Sequence, residues 1–356
     1  MNFKRIGVLT SGGDAPGMNA VVRAVVHAAN TAGVETYGIK EGYQGLMDDC
    51  MELLTNENVS NLVGQSGTAL YTARAIGFKT ESGMQKAIET CKRRHIDGIV
   101  AIGGDGTFRG ANDLSARGIP TIGLPGTIDN DITATDYTIG FDTAMNSSIN
   151  CIEMLRDTSE SHARCSVVEL MGRGAGHIAI QVAIAVGAFG VLIPEADFDE
   201  EQLIKRMREA RAKGQRSFII VVSEGVKDRF GDDIGERLTE RIELKTGIET
   251  RFARLAHIIR GGAPTLRDRL TASLMGEKAV ELLLQGKSNL VVCERDSEIV
   301  SFEINYALTM DRMYKNTLRD HDLDPFSEAQ IGEMKEFVEM RKAEIAALYS
   351  TFVKMA

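Results

Sequence analysis

The sequence predicts an α/β fold built on mostly parallel sheets. Apolar runs at residues 5–10, 96–104, 165–171 and 217–225 are almost continuous in Val, Ile and Leu, as expected for strands buried on both faces. Each run ends in a turn that contains glycine, and stretches of helical length lie between the runs. Repetition of strand, glycine turn and helix indicates βαβ units.

The order of the elements follows from these runs. The first strand is expected at residues 5–10, and an apolar-rich helix follows it at 18–32. Further strands are expected at 96–104, 121–125, 165–171, 217–225 and 250–256. The charged segment 226–248 is interpreted as a solvated loop and helix. The tail at 328–352 predicts a packed helix, because apolar residues recur at helical spacing: Ile331, Met334, Phe337, Met340, Ile345, Leu348 and Phe352.

Composition excludes several classes of protein. The chain has 356 residues, of which 43% are hydrophobic and 26% charged, as in globular proteins, and its net charge of −9 disfavours nonspecific binding to nucleic acid or anionic membrane. No apolar run approaches the length of about 18 residues that a transmembrane helix needs. The N-terminus runs into the first strand without a signal-peptide pattern, and the five cysteines show no metal-ligand spacing. We therefore expect reduced thiols and a cytoplasmic location.

Two turns rich in glycine have the character of phosphate-binding loops. The first glycine turn (SGGDAPG, residues 11–17) precedes the helix at 18–32, and a helix N-terminus offers free N–H groups to an anion. The second glycine turn (GGDGT, residues 103–107) surrounds Asp105, a carboxylate suited to hold Mg²⁺ directly or through water. The first turn taken alone is equally compatible with a tight connection that binds nothing.

The aspartate turn (GTIDND, residues 126–131) carries the sharpest chemical signal. Asp129 and Asp131 stand two residues apart just beyond a predicted strand. A positioned aspartate can draw the proton from a hydroxyl nucleophile, which accelerates a reaction by about 10²–10⁴-fold. Thr127 can donate a hydrogen bond to a transferring phosphoryl group. The structural alternative is an Asx-rich surface turn, which concentrates like charges at a cost.

Several arginines follow predicted strands and form a candidate phosphate clamp. The arginine turn (MGRGAG, residues 171–176) contains one of them, and HIIRGG (residues 257–262) places His257 and Arg260 three residues apart. The planar guanidinium matches phosphate oxygens. The candidates are Arg164, Arg173, Arg251 and Arg260. Each alone is compatible with a surface ion pair, and His257 with a structural histidine.

Together these segments resemble the 6-phosphofructokinase family, in order from the N-terminus to about residue 300. The matching segments are SGGDAPGMNA (11–20), GGDGT (103–107), PGTIDND (125–131), YTIGFDTA (137–144), SVVELMGR (166–173) and HIIRGG (257–262). The resemblance implies two Rossmann-like lobes with the active site in the cleft between them. It also implies ATP-dependent phosphorylation of the 1-hydroxyl of fructose 6-phosphate, with Mg²⁺, and a homotetramer.

The resemblance implies boundaries and roles for individual residues. The nucleotide-binding lobe would comprise residues 1–140 and about 259–309, and the sugar-phosphate lobe 141–258 and about 310–356. Asp129 would be the general base, with Arg74, Thr127 and Asp131 as further catalytic residues and Asp105 at the metal. The nucleotide would contact Gly13, Tyr43, Arg74, Ala75, Gly104, Asp105, Gly106 and Thr107.

The sugar phosphate would be held by the aspartate turn, the arginine turn and the segment around His257. Its implied contacts are Thr127, Ile128, Asp129, Met171, Gly172, Arg173, Glu224, His257, Ile258, Ile259 and Arg260. Arg164 and Arg251 would reach the substrate from a neighbouring subunit. Oligomerisation would then be part of the active site.

Departures from the family pattern concern the donor, the acceptor and regulation. Pyrophosphate-using members commonly carry Asp and Lys where this chain has Gly106 and Gly126, so ATP is the expected donor. Ile259 replaces a glutamine usual in bacterial members. Arg23 and Arg156 match the regulatory pocket, but other positions there differ, which predicts weak or altered regulation; the differing residues are His27, Asn56 and Phe189.

Three other functions remain open at this point. A pyrophosphate-dependent phosphofructokinase would have the same fold and is disfavoured by the two glycines. A catalytically silent regulatory paralogue is disfavoured because the implied catalytic residues are all present. A NAD kinase is supported by GGDGT alone.

Overall fold

A computed structural model of the chain describes residues 3–228 and 231–356. The described residues form strands β1 (Arg5–Ser11), β2 (Glu35–Ile39), β3 (Met51–Leu54), β4 (Gly98–Gly103), β5 (Thr121–Pro125), β6 (Cys165–Leu170), β7 (Gly190–Leu192), β8 (Phe218–Ser223), β9 (Thr250–Arg254), β10 (Leu290–Arg295) and β11 (Glu298–Glu303).

The helices alternate with these strands along most of the chain. They are α1 (Met18–Thr31), α2 (Gly42–Met47), α3 (Asn56–Val59), α4 (Glu81–Arg94), α5 (Asp105–Ser115), α6 (Phe141–His162), α7 (His177–Ala185), α8 (Glu200–Ala212), α9 (Ile234–Thr246), α10 (Leu266–Leu284), α11 (Ile304–Tyr314) and α12 (Glu328–Met355). Short 3-10 segments lie at Leu62–Gly64, Ile76–Lys79 and Ala256–Arg260.

The chain divides into two units. Unit 1 comprises the chain up to Ile128 together with Ile132–Thr143 and Arg260–Val338. Unit 2 comprises Asp129–Asp131, Ala144–Ile259 and Glu339–Ala356. Residues 310–338, which the family resemblance groups with the sugar-phosphate lobe, belong here to unit 1. The binding roles of the two lobes stay a prediction.

Unit 1 contains a seven-stranded sheet in the order β11-β10-β5-β4-β1-β2-β3. The five central strands pair in parallel, and the two edge strands, β3 and β11, pair antiparallel with their neighbours. Fully buried strand residues such as Leu9, Ile99 and Ile102 make the central strands apolar on both faces. The predicted parallel sheet is confirmed, whereas its two antiparallel edges gave no clear sequence signal.

Unit 2 contains a four-stranded parallel sheet in the order β7-β8-β6-β9. Its core forms between this sheet and helices α8 and α9, where Phe218, Val167, Met207 and Leu238 are buried. The α/β fold with mostly parallel sheets is therefore confirmed. Within residues 3–228 and 231–356, no helix is both long and apolar enough to cross a bilayer.

Side-chain caps fix where several helices begin. Thr80 and Asp199 accept hydrogen bonds from backbone amides in the first turns of α4 and α8, at 3.1 and 3.0 Å. Thr265 caps α10 in the same way. A polar residue at each of these positions satisfies amides that have no partner within the helix, so the sequence sets the helix start locally.

The tail and the charged segment are both helical, with one face buried. In α12 the side chains of Met334, Ile345 and Phe352 are buried, as expected. Met340 is 43% exposed, so its expected place in the core is wrong, because the neighbouring positions 338 and 341 take up the buried face. The segment 226–248 contains α9 at Ile234–Thr246, and Arg229 and Phe230 within it lie outside the described residues.

Candidate active site

The turns after β1, β4 and β5 leave the sheet of unit 1 as neighbours. The three strands are parallel, with Ser11 paired to Gly103 and Gly103 paired to Pro125. The amide of Gly126 donates to the carbonyl of Gly103 at 3.1 Å, which carries the ladder one residue beyond β5. Ligands of open α/β sheets bind at the carboxyl ends of parallel strands, so this edge is the place for a site.

The first glycine turn lies against Arg260. A Cβ atom at Gly13 would come within 2.6 Å of the Nη1 atom of Arg260, so only glycine leaves room for the guanidinium. The same Nη1 lies 3.4 Å from a carboxylate oxygen of Asp14, and the Arg260 side chain is 21% exposed. A cation is therefore fixed beside a turn with the character of a phosphate loop.

The second glycine turn provides open space at the start of α5. A Cβ atom at Gly104 or Gly106 would meet no heavy atom within 4 Å among the described residues. The hydroxyl of Thr107 donates to the carbonyl of Ser11 at 3.0 Å and ties this turn to β1. An anion can thus approach the first amides of α5 without meeting a side chain.

Asp105, the first residue of α5, is the carboxylate of this turn. Arg109, one helical turn later, donates from Nε to an Asp105 oxygen at 3.2 Å and also contacts the second oxygen. The Asp105 side chain is 16% exposed and that of Arg109 is 55% exposed. The carboxylate is therefore accessible, with a flexible counterion that a bound cation can displace.

Tyr43 supports the second glycine turn from within the core. Its hydroxyl donates to the carbonyl of Thr107 at 2.6 Å, and its ring stacks on Phe78 with centroids 4.3 Å apart. Burial raises the pKa of the Tyr43 phenol, so the hydroxyl stays a neutral donor. Ala75 is partly buried against the same cluster. With 4% exposure, Tyr43 holds the turn and offers little surface to a ligand.

Arg74 lies on a loop that is attached to the end of β1. The hydroxyl of Thr10 donates to the carbonyl of Tyr71 at 2.8 Å. The hydroxyl of Thr72 donates to the carbonyl of Gly12 at 2.7 Å. The Arg74 side chain is exposed. These bonds place an exposed guanidinium near the first glycine turn.

The aspartate turn is buried. Asp129 is 8% exposed and Asn130 is 4% exposed, and Asn130 adopts a left-handed conformation with φ 51° that asparagine tolerates. Asp131 lies 3.7 Å from the guanidinium of Arg173. The hydroxyl of Thr138 donates to the carbonyl of Thr127 at 2.6 Å. Such burial of two carboxylates contradicts an ordinary Asx-rich surface turn.

In unit 2, Glu224 shapes the arginine turn. One of its carboxylate oxygens accepts the amides of Gly172 at 3.2 Å and Arg173 at 2.6 Å. A Cβ atom at Gly172 would lie 2.6 Å from the carbonyl oxygen of Ala175, which makes glycine necessary there. The Arg173 side chain is 69% exposed, and Met171 is half-buried. The turn thus presents a guanidinium from a fixed backbone.

The residues around His257 point in different directions. They form a 3-10 segment, in which His257 and Ile258 are exposed while Ile259 is fully buried. Only the first two side chains are available to a ligand. Since the Ile259 side chain is packed in the core, it does not reach solvent within this chain.

Arg164 and Arg251 lie at the amino ends of strands in the unit 2 sheet, whereas the arginine turn follows the carboxyl end of β6. Arg164 precedes β6 and lies 2.7 Å from Glu249, and Arg251, near the start of β9, contacts the same carboxylate. The arginine turn follows the other end of β6, and six residues of strand span about 20 Å. The structure therefore does not bring these two arginines to the arginine turn of their own chain.

Glu195 is a supporting residue that sequence reasoning missed. Both of its carboxylate oxygens accept the amide of Gly176, at 2.9 and 3.1 Å, and so close the arginine turn. Burial raises the pKa of this carboxyl group. Nineteen positions separate the two partners, and neither lies in a recognisable motif. The only sequence signal is an acidic residue just after the apolar strand β7.

A sequence model of the family described as phosphofructokinase matches residues 5–283. A curated relative from Clostridium novyi, named ATP-dependent 6-phosphofructokinase, is 47% identical over 318 residues, which cover 89% of this chain and 98% of the relative. A relative of the same name from Halalkalibacterium halodurans is 50% identical over 306 residues, covering 86% of this chain and 94% of the relative.

Among solved structures, the fold is similar to that of phosphofructokinase from Saccharomyces cerevisiae, with a TM-score of 0.85 and 29% sequence identity. The match covers 98% of this chain and 50% of the yeast chain. This chain therefore spans half the length of the yeast chain that it matches.

His177, which begins α7 after the arginine turn, predicts a pH dependence of stability. Burial, with a contribution from the charge of Arg341, lowers the pKa of this imidazole to about 3. Between pH 6.5 and 3 the unfolded chain binds a proton that the folded chain does not. The free energy of unfolding should therefore fall as the pH is lowered, by up to about 1.4 kcal/mol per pH unit from this group.

Denaturant unfolding of the wild type and of His177→Asn at several pH values between 7 and 4 measures this slope. The variant should show a smaller slope than the wild type. His162→Gln, at an exposed position on α6, serves as the matched control and should keep the wild-type slope. Equal slopes for the wild type and His177→Asn would contradict the assignment.

Proposed function

Because this chain belongs to the phosphofructokinase family, we propose that it is an ATP-dependent 6-phosphofructokinase. It transfers the γ-phosphoryl group of ATP to the 1-hydroxyl of fructose 6-phosphate and gives fructose 1,6-bisphosphate, a step of glycolysis. Nearly full-length relatives with this name support the assignment. The resemblance seen in the sequence motifs is confirmed by the family match.

The observation that carries the proposal is the aspartate turn itself. It begins where β5 ends, next to the end of β4, whose glycine turn leaves open space, and it buries Asp129 at 8% exposure. A carboxylate in this turn can serve directly as a base for a hydroxyl nucleophile. This arrangement supports phosphoryl transfer to a hydroxyl group.

Asp129 acts as the general base. Its carboxylate takes the proton of the 1-hydroxyl while the sugar oxygen forms a bond to the γ-phosphorus. The bond from that phosphorus to the bridging oxygen breaks, and ADP leaves with the electron pair. Asp131, which lies near Arg173, and Thr127 complete the turn. General-base catalysis of this kind contributes about 10²–10⁴-fold to the rate.

Arg74 neutralises charge that develops on the transferring phosphoryl group. Its exposed guanidinium and the bonds that attach its loop to β1 support this role. Preorganised cations at a phosphoryl group stabilise the transition state more than the ground state. Gly13, Gly104, Gly106 and Thr107 line the other phosphates, and Tyr43 keeps the backbone at Thr107 in place.

The residues of the second glycine turn fit Mg²⁺. This ion usually takes one or two carboxylates and completes its shell with water and substrate phosphates. Asp105 offers such a carboxylate next to the open space at Gly104 and Gly106. Among the described residues, no group of three or more His, Cys, Asp and Glu residues forms a protein cage for a metal. When bound, Mg²⁺ would offset the negative charge of the nucleotide phosphates.

The surroundings of Gly106 and Gly126 support ATP as the donor. At Gly106 a side chain would project into space that remains open here. At Gly126 a Cβ atom would lie 3.0 Å from Ile102 and 3.1 Å from Met18, so a lysine would require these side chains to shift by a few tenths of an ångström. The charge pattern expected of a pyrophosphate-using relative is thus absent at both positions.

The sugar phosphate binds to the arginine turn and to the segment around His257. Arg173 and His257 are exposed and polar, and Glu224 fixes the backbone at Gly172 and Arg173. Since the Ile259 side chain is buried, this residue contacts the sugar phosphate through its backbone atoms. Arg260, which lies beside Gly13 and Asp14, adds a second guanidinium.

Arg164 and Arg251 serve a neighbouring subunit in a homotetramer. Their position at the amino end of the unit 2 sheet supports this role, because it separates them from the arginine turn of their own chain. Both contact Glu249, which offsets their charge in the single chain. A substrate phosphate would compete for the same guanidinium groups.

Regulation through the family's effector pocket is weak or altered. Phe189 packs edge-to-face on Phe218 with centroids 4.9 Å apart, and Arg206 covers its ring. An aromatic ring there offers no oxygen to an effector. Burial and the charge of Arg23 lower the pKa of His27, so that residue is neutral where a cation is usual. A glycolytic role places the enzyme in the cytoplasm.

Steady-state assays across donors test the function. With fructose 6-phosphate as acceptor, ATP should support turnover, and kcat/KM should be at least about 100-fold lower with pyrophosphate, the equivalent of about 2.7 kcal/mol in transition-state binding. Faster turnover with pyrophosphate would overturn the donor assignment. Binding of both substrates without turnover by either donor would favour a silent regulatory paralogue.

Asp129→Ser tests the general base. The variant should bind fructose 6-phosphate with nearly wild-type affinity, while kcat falls by about 10²–10⁴-fold. Calorimetric titration and a coupled assay measure the two quantities. Asp136→Asn, a carboxylate outside the aspartate turn, is the control and should keep kcat within about threefold of the wild type. A near-wild-type kcat for Asp129→Ser would reject the base assignment.

Mixing two defective variants tests the contribution across subunits. Arg164→Ala should weaken the use of fructose 6-phosphate by about 10-fold or more, because a charge-assisted phosphate contact is lost. Hybrids of Arg164→Ala with Asp129→Ser subunits should regain activity above the sum of the separate variants, since some sites then contain both intact residues. Subunits that carry both Arg164→Ala and Asp129→Ser, mixed with Asp129→Ser subunits, should regain no activity. Activity equal to the sum would place Arg164 in the site of its own chain.

A further inference from the structure

Asp268 on α10 is a fully buried carboxylate with no role in the proposed chemistry. Its exposed fraction is 0%. It lies in the first turn of α10, where its amide donates to the capping hydroxyl of Thr265 at 3.4 Å. Helix N-termini favour a negative charge, yet complete burial of a carboxylate is costly unless hydrogen bonds compensate it.

Four donors from one short segment satisfy this carboxylate. One oxygen accepts the amide of Gly140 at 2.7 Å and the hydroxyl of Tyr137. The other accepts the amide of Thr143 at 2.9 Å and the hydroxyl of the same residue. An ionised carboxylate accepts about four hydrogen bonds and donates none, so its capacity is filled. Residues 137–143 are therefore fixed to α10 mainly through the Asp268 side chain, and the amide of Thr265 adds a hydrogen bond to the Thr143 hydroxyl at 3.0 Å.

The same segment holds the beginning of the aspartate turn. The amide of Ile139 donates to the carbonyl of Pro125 at 2.8 Å, and Ile139 forms a parallel bridge with Gly126. The hydroxyl of Thr138 donates to the carbonyl of Thr127 at 2.6 Å. Both bonds come from residues that lie between the two Asp268 anchor points at 137 and 140. A shift of this segment would therefore shift the backbone of the aspartate turn.

The first glycine turn packs on the same segment. A Cβ atom at Gly17 would lie 2.7 Å from the Ile139 side chain and 3.5 Å from that of Asp268. A Cβ atom at Gly140 would lie 2.7 Å from the Ala15 side chain. Because these contacts are close, the turn and the segment are packed tightly against each other. Asp268 thus lies beneath two turns to which the reaction assigns different substrates.

We propose that Asp268 is a positioning residue for phosphoryl transfer, an inference that rests on the proposed function. It touches neither substrate. It acts through Tyr137, Gly140 and Thr143, which set the register between residues 137–143 and the aspartate turn. A misplacement of about 1 Å can cost about 10²-fold in rate even when binding persists.

The chemistry of the site explains why an amide cannot replace this carboxylate. Every neighbour that faces the Asp268 oxygens is a donor, and an asparagine would present an NH₂ group to two of them. Burial raises the pKa of Asp268, while the surrounding donors oppose this shift. The guanidinium of Arg267 stacks on the Tyr137 ring, 4.1 Å from its centroid. Hydrogen bonds, and not an ion pair, therefore hold the segment.

The test compares Asp268→Asn with the wild type in steady-state kinetics and thermal unfolding. We expect kcat per folded enzyme to fall by about 10- to 100-fold, with KM for ATP and for fructose 6-phosphate within about threefold of the wild type. Tyr137→Phe, which removes one donor and keeps the ring, should lower kcat by about 3- to 10-fold. Thr143→Ser keeps the hydroxyl and should rescue the loss seen in Thr143→Val.

Asp97→Asn is the matched control. Asp97, an exposed residue just before β4, is also a carboxylate that accepts two backbone amides, those of Lys4 and Arg5 at 2.7 and 3.0 Å, but it lies at the far end of the strands from the turns. The Asp97→Asn substitution should lower the free energy of unfolding without changing kcat. An unchanged kcat in folded Asp268→Asn overturns the inference. If that variant does not fold, wild-type kcat in both Tyr137→Phe and Thr143→Val overturns it instead. A wild type without turnover contradicts the proposed function, not this positioning role.

Discussion

The parallel register of β1, β4 and β5 is the constraint on which the site of unit 1 depends. Because the ends of these strands are paired residue by residue, the three turns that follow them start as neighbours. The ladder extends past β5 through Gly126, and the bridge to Ile139 continues it. A slip of one residue would turn every strand side chain to the other face, and the close packing of different side chains on the two faces opposes it.

Carboxylates that accept backbone amides are a recurring means of support in this chain. Glu224 and Glu195 hold the arginine turn, and Asp268 holds the segment beneath the aspartate turn. Each comes from an element other than the turn that it holds. The turns can therefore consist of glycine and short polar residues, as close approach to a ligand requires, while their conformation is set from outside. Asp105 and Asp129 are instead assigned to the chemistry, as the Mg²⁺ ligand and the general base.

Sequence reasoning located the strands and turns that repeat a local pattern. Strands β1, β4, β5, β6 and β8 are dense in Val, Ile and Leu, and glycine marks the turns after them, so composition alone predicts both. The edge strands β3 and β11 are short or exposed and carry charged residues, so they lack the apolar pattern that predicts a strand. Asp268 and Glu195 were missed because their partners are distant in sequence: only folding brings Asp268 to Gly140. The exposure of Met340 likewise depends on which neighbours α12 meets.

The central claim is that a carboxylate of the aspartate turn removes the proton from the acceptor hydroxyl. The most direct measurement is a crystal structure of the complex with fructose 6-phosphate and a non-hydrolysable ATP analogue. The account predicts an Asp129 oxygen within hydrogen-bonding distance, about 2.6–3.2 Å, of the 1-hydroxyl. An Asp129 carboxylate that points away from the sugar, with no water between them, would contradict it.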